Sequence, residues 1–275
     1  MKKEKYVDNR KGHLKEYAEG KGMPIGGTYN YKGTIVAHDH ILKIEDGQTK
    51  LEVAELHNLL KDVSGDLLKK LHRDAHHLNS SQILCYNFFR PLIDSANGSP
   101  KLVEKLKSFE VKIETITRCE FEHNDNKGDG TEFDFYIEGK DSNGAAVKVF
   151  IEVKYTESSL RNSDAFSKDK KTTYEKKFEE TYTPMFETQQ CLKKIPSYDE
   201  FYTYYQCFRN VLRVENENTY SIFLYPSKNE IAKKFCEFKD FLADSEENKL
   251  YGSNVLFINW EDIVKEDELY DKYFK

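Results

Sequence analysis

No stretch of this chain approaches the run of about 18 uncharged apolar residues that a membrane-spanning helix needs, so no such anchor is expected. The opening residues, Met1-Lys-Lys-Glu-Lys5, are charged and have no apolar core. A secretory signal is therefore not expected, and the cytoplasm is the expected compartment. Cysteine is sparse. The five residues Cys85, Cys119, Cys191, Cys207 and Cys236 are odd in number, and no two share a C-x-x-C spacing. A disulfide framework or a zinc-thiolate site is not expected, and they read as buried thiols. Positive charge is also short overall: the net charge is −6, which taken alone argues weakly against a nucleic-acid partner. Internal repeats, low-complexity tracts and linkers are missing too. One domain is the simplest partition, with residues 1–60 as an N-terminal elaboration packed on a main unit of residues 61–275.

What is present is aromatic and unevenly charged. Hydrophobic residues make up 38%, with 18 Tyr and 18 Phe, enough for a sizeable core. Residues 237–271 hold eleven acids and three lysines, a local balance of −8, which leaves +2 for the rest. Residues 154–177 hold seven bases and four acids, a balance of +3. A polyanion can therefore be met locally.

Residues 1–22 read as a loose polar lead-in. Residues 29–44 alternate as one or two strands, and residues 51–60 and 66–71 have short helical spacings. Residues 79–93 predict a helix capped by Asn79 or Ser80 and ended by Pro91. Residues 101–109 predict another. The period then changes: residues 111–121, 133–138 and 147–155 are rich in β-branched and aromatic residues and read as strands. A helix over 198–213, a strand over 220–225, a helix over 230–241 and a strand over 254–258 follow. That order predicts an α/β fold of three layers, a mixed sheet flanked by helices.

The strand around Val149-Phe-Ile-Glu152-Val-Lys154-Tyr is the most informative. Its apolar run predicts burial on both faces, yet Glu152 and Lys154 interrupt it on one face. Buried charges are costly unless paired or bound to a metal. If the preceding hairpin closes through the three-residue loop Ser142-Asn143-Gly144, with Gly144 left-handed, Asp134 falls opposite Glu152 and Glu132 opposite Lys154. Opposed carboxylates repel, and a cation such as Mg²⁺ reverses that term. The alternative is a structural Glu152–Lys154 pair on an exposed face, with Asp134 as a turn residue.

Gly130-Thr-Glu-Phe-Asp134, with seventeen residues separating Asp134 from Glu152-Val-Lys154, resembles the PD-(D/E)XK restriction endonuclease-like superfamily. Phe133 stands where that motif's proline would be. Two further blocks, His76-His-Leu-Asn-Ser-Ser-Gln82 through Pro91 and Tyr205-Gln206-Cys-Phe-Arg209-Asn210, resemble a bacterial group within it. The resemblance implies a Mg²⁺-dependent DNA endonuclease, with Mn²⁺ as substitute; the alternative is a catalytically inactive nucleic-acid-binding or interaction module that keeps the nuclease-like fold. The resemblance makes Asp134 and Glu152 metal ligands and Lys154 the electrostatic partner. A homodimer is compatible with duplex cleavage. The helix before the first strand often brings a polar residue to the metal, so Ser80, Ser81 and Gln82 are candidates beside a plain capping role.

Gln206 and Arg209 share a polar helical stripe with Tyr202 and Arg213, placed to touch phosphate or the catalytic lysine. A solvated face is the alternative. The tract 168–177 reads as a DNA-backbone contact or as a charge-rich surface loop. His76, His77 and Asp74 look like a metal cluster, but adjacent histidines on a helix diverge, so they read as cap and surface residues. His38 and His40 share a strand face without an apparent third ligand.

Overall fold

A computed structural model describes residues 6–31, 33–58, 69–93, 99–125, 127–243, 252–264 and 268–275. Ile25–Tyr31 (β1) and Thr34–Leu42 (β2) pair as an antiparallel hairpin. Thr115–Asn124 (β3), Glu132–Lys140 (β4), Ala146–Val153 (β5), Thr219–Tyr225 (β6) and Val255–Asn259 (β7) form a five-stranded sheet in that order. In this sheet β4 runs antiparallel to its neighbours β3 and β5, and β5, β6 and β7 are parallel.

Side-chain alternation along β6 sets the layers. Every residue of this strand is buried. Tyr220, Ile222 and Leu224 enter one core with Phe135, Ile151 and Val153. Phe223 and Tyr225 enter a second with Phe201, Phe208 and Phe235. A central parallel strand needs this two-faced apolar character. Tyr6–Gly20 (α1), Lys50–His57 (α2), Ser81–Phe89 (α3) and Pro100–Ser108 (α4) contribute to the first core. Lys171–Lys177 (α5), Thr183–Glu187 (α6), Tyr198–Thr203 (α7), Tyr205–Val211 (α8) and Ile231–Lys239 (α9) lie with the second. Trp260–Ile263 (α10) and Glu268–Tyr273 (α11) return to the first core through Trp260 and Tyr273. The fold is thus a three-layer α/β structure of the restriction endonuclease-like kind. Among the described residues no helix is long and apolar enough to cross a membrane.

Three local expectations are corrected. Residues 6–20 are helical rather than a loose lead-in: Leu14 and Ala18, one turn apart, are fully buried, and Arg10 donates to the Tyr273 carbonyl at 3.4 Å. The tract 168–177 is largely helix α5, which runs through a π turn at Phe178–Tyr182 into α6. Its Lys171 and Lys176 pair with Glu175 and Glu180 one turn on, which offsets part of the positive charge. The single helix expected over 198–213 is broken at Tyr204. There Tyr202 O accepts from Asn162 N at 3.0 Å, and Gln206 N donates to Leu160 O at 3.3 Å. A neighbouring segment takes hydrogen bonds that a continuous helix would have kept. Of the helical spacing at 66–71, residues 66–68 lie outside the described residues.

Candidate active site

The site starts at a turn. Asp141 Oδ1 accepts from Asn143 N at 2.9 Å and from Ala145 N at 2.8 Å, and Gly144 adopts φ +79°. A side chain is strained in that left-handed region, so glycine suits it. The three-residue loop sets the ladder from Lys140 opposite Ala146 to Phe135 opposite Ile151. Continued one position past the last paired residues, this register sets Asp134 on the same side as Glu152. A loop one residue shorter would shift Asp134 to the other face.

Beyond Phe135 the two strands part. Asp134 Oδ2 accepts from Val153 N at 2.6 Å, which pins its carboxylate to the end of β5. Glu152 and Lys154 form an ion pair whose side chains are only 10% and 6% exposed. The expected alternative of an exposed pair is therefore not what the structure has. The backbone of Lys154 is held from both sides: its N donates to Leu224 O at 2.8 Å, and Trp260 Nε1 donates to its carbonyl at 3.0 Å. Burial works against the ammonium charge, but Glu152, Glu157 and Asp134 outweigh it and raise the Lys154 pKa above its ordinary value. Lys154 is thus a fixed cation. Asp134 goes the other way: burial, then the charge of Glu152, hold its carboxyl well above the ordinary range.

A third carboxylate joins them. The β3–β4 register pairs Phe121 with Phe135 and His123 with Phe133, which places Glu122 across from Asp134. Glu122, Asp134 and Glu152 therefore occupy one row over three neighbouring strands. Glu122 has φ +50°, an uncommon conformation for a residue with a side chain. Burial, with the nearby Glu132 and Glu152, pushes its carboxyl up to about 7 despite a hydrogen bond from Gln82. The sequence reading ended this strand at Phe121 and missed it. The usable signal was the acid one residue past that end, in the strand preceding Asp134. Oxygen donors in one row, two of which, Asp134 and Glu122, have their carboxyls raised, are the ligand type that a hard divalent cation such as Mg²⁺ or Mn²⁺ takes.

A family described as restriction endonuclease associating with ARP matches residues 13–274. The chain belongs to this family. No match to a curated protein or to a solved structure accompanies it. Membership makes this a restriction endonuclease-like protein, and the match takes in the N-terminal helix and hairpin as well as the sheet.

Around the carboxylate row of this restriction endonuclease-like chain, the remaining candidates divide. Ser80 caps α3, accepting from Ile83 N at 3.3 Å. Gln82 lies at the edge of the row, beside Glu122, and also bridges His72 N at 2.8 Å and Lys70 O at 3.2 Å. Glu132 is exposed and pairs with Asn124, not with Lys154, because the β4–β5 ladder has ended by Phe135. Gln206 is part-buried, and its Oε1 has no hydrogen-bond partner. Arg209 donates from Nε to Thr131 Oγ1 at 2.8 Å and lies 4.8 Å from the Tyr205 ring centroid. Tyr202 and Arg213 are buried, so the expected polar stripe is not a solvated face. Asn210, which closes the third sequence block but was given no role there, donates to Gln206 O at 2.9 Å and to Glu152 Oε2 at 3.5 Å. Its place in the helical block behind β5 was the available signal.

Proposed function

We propose that this chain is a Mg²⁺-dependent endonuclease that hydrolyses DNA phosphodiester bonds in a restriction or defence role. The observation that supports this most is the row Glu122–Asp134–Glu152 closed by the buried cation Lys154. Asp134 and Glu152 are the proposed metal ligands, with Glu122 as a third carboxylate and Mn²⁺ as a substitute ion. A bound Mg²⁺ would polarise a phosphate oxygen and lower the pKa of a coordinated water. Lys154, held charged by its acidic neighbours, stabilises the negative charge that develops on the phosphate during attack. Asn210 positions Glu152 through its amide, and Val153 N fixes Asp134. Arg209 and the residues of 154–177 supply the positive charge that meets the DNA backbone. Residues 1–60 are read as an elaboration on the nuclease unit of 61–275. Leu14, Ala18, Leu42 and Val53 share the unit's first core.

The test is incubation of supercoiled plasmid with the purified chain in Mg²⁺, in Mn²⁺ and in chelator. Cleavage with either ion and none in chelator supports the reading. Equal cleavage in chelator, or none under any condition, contradicts it.

A further inference from the structure

A second group of potential metal ligands lies where the N-terminal hairpin meets the segment leading into α3. Strand β2 is stitched to that segment by Leu42 N donating to His76 O at 3.2 Å and Leu78 N donating to His40 O at 3.0 Å. Residues 73–77 form turns and a β-bridge, not the helix expected from their spacing, and Ile41 bridges His77. Adjacent histidines therefore need not diverge. One ligand atom from each of Asp74, His76 and His77 lies within 4.8 Å of the other two. The His76 and His77 rings are 4.6 Å apart, and the His40 ring lies 6.5 Å from His77 and 5.2 Å from His38. The two histidine pairs singled out separately in the sequence thus meet in one place.

The polar atoms there are unusually short of partners. His76 is 0% exposed, and neither of its ring nitrogens has a hydrogen bond; His77 Nε2 is likewise buried and unpaired. A buried nitrogen without a partner costs free energy, and each such group calls for an explanation. A buried imidazole is disposed to be neutral and so offers a lone pair. Asp74 is the one carboxylate in the set; Lys50 at 3.4 Å and Arg73 at 3.6 Å also approach it. A cavity of about 480 Å³, whose polar lining is Lys11, Tyr29, His38, His40, Asp74, His77 and Asn79, opens beside it.

We propose that Asp74, His76 and His77, completed by His40, form a second metal site for a transition ion of the Zn²⁺ type. Nitrogen donors with one carboxylate suit Zn²⁺ better than Mg²⁺, which separates this site in chemistry from the all-oxygen row on the sheet. Tetrahedral zinc with bonds of about 2.0–2.2 Å brings donors to roughly 3.4 Å from one another. Asp74, His76 and His77, now within 4.8 Å, must therefore close on binding, and His40, outside that group, must move in to complete the set. The ion clamps the β1–β2 hairpin onto the segment before α3. Asn79, three residues past His76, donates to Thr156 Oγ1 at 2.9 Å, two residues beyond Lys154.

The test uses the full chain stripped with chelator and titrated with Zn²⁺ and, separately, Co²⁺. Bound metal is measured by elemental analysis, the Co²⁺ site by its visible absorption, and folding by circular dichroism. The expected result is one equivalent of Zn²⁺, a tetrahedral Co²⁺ band and a higher melting temperature. His77→Gln and Asp74→Asn, both part-buried positions, should weaken binding by more than the roughly 10–100-fold typical of lost outer-shell partners, while remaining folded. Glu152→Ala should keep the equivalent. Absence of zinc binding, equal binding by wild type, His77→Gln and Asp74→Asn, or loss of binding in Glu152→Ala would each overturn the proposal.

Discussion

Glu122 lies across the β3–β4 pair from Asp134, and its charge opposes ionisation of the Asp134 carboxyl. Burial and the charge of Glu152 act in the same direction on both acids. A carboxyl raised on folding binds more protons in the native state than in the unfolded one. Stability of the metal-free chain should therefore fall as pH rises through the interval between the two pKa values. For Glu122 that window runs from 4.5 to about 7. Thermal melts in chelator across this window should show the decline, and Glu122→Gln should flatten it. A Glu122→Gln protein with the wild-type pH dependence would remove Glu122 from the row.

Metal binding should carry the opposite pH signature. An ion at the row must displace the protons that Asp134 and Glu122 hold, so Mg²⁺ affinity should rise with pH, with the Glu122 share of that rise ending at about 7. Calorimetric titration at several pH values should detect proton release. An affinity independent of pH would place the ion elsewhere.

Arg213 secures the loop that leads into β4. Its fully buried side chain donates from Nε to Asp125 Oδ2 at 2.5 Å and from Nη2 to Asp129 Oδ1 at 2.6 Å. Burial works against the Asp129 charge, but the hydrogen bonds from Arg213 and Thr131 outweigh it and hold that carboxyl below its ordinary value. Arg213→Met leaves two acids without their cation and should destabilise the fold by roughly 3–5 kcal/mol. A denaturant midpoint within error of wild type would contradict this.

Arg209 tests the DNA contact. Arg209→Ala should weaken DNA binding and lower the slope of log affinity against log salt by about 1, the signature of one lost phosphate contact. An unchanged slope would mean that its bond to Thr131 and its stacking on Tyr205 are purely structural.

The β4–β5 hairpin was legible in the sequence because two local rules agree on it. Runs of β-branched and aromatic residues mark the strands, and a glycine at 144 suits the left-handed position of a three-residue loop, so the register follows. Glu122 was hidden because the apolar pattern of β3 fades at Phe121, while the strand continues to Asn124 through a left-handed residue. Helices α1 and α5 were hidden for a different reason: each presents few apolar residues to the core, and a stripe that thin has no visible period. The reverse error occurred at Tyr204, where an apolar stripe crosses the break and only bonds from residues 160–162 interrupt the helix. The histidines around His76 were misread because a turn was taken for a helix, and side-chain directions follow the backbone.

The most direct measurement is cleavage of supercoiled plasmid in Mg²⁺ by wild type, Asp134→Asn, Glu152→Ala and Lys154→Ala side by side. All four proteins should fold, as judged by circular dichroism. Wild type should cut, the two carboxylate variants should show no cleavage, and Lys154→Ala should lose on the order of 10²–10³-fold in rate. Cleavage at the wild-type rate by Glu152→Ala and Asp134→Asn would contradict the assignment of this row as the catalytic centre.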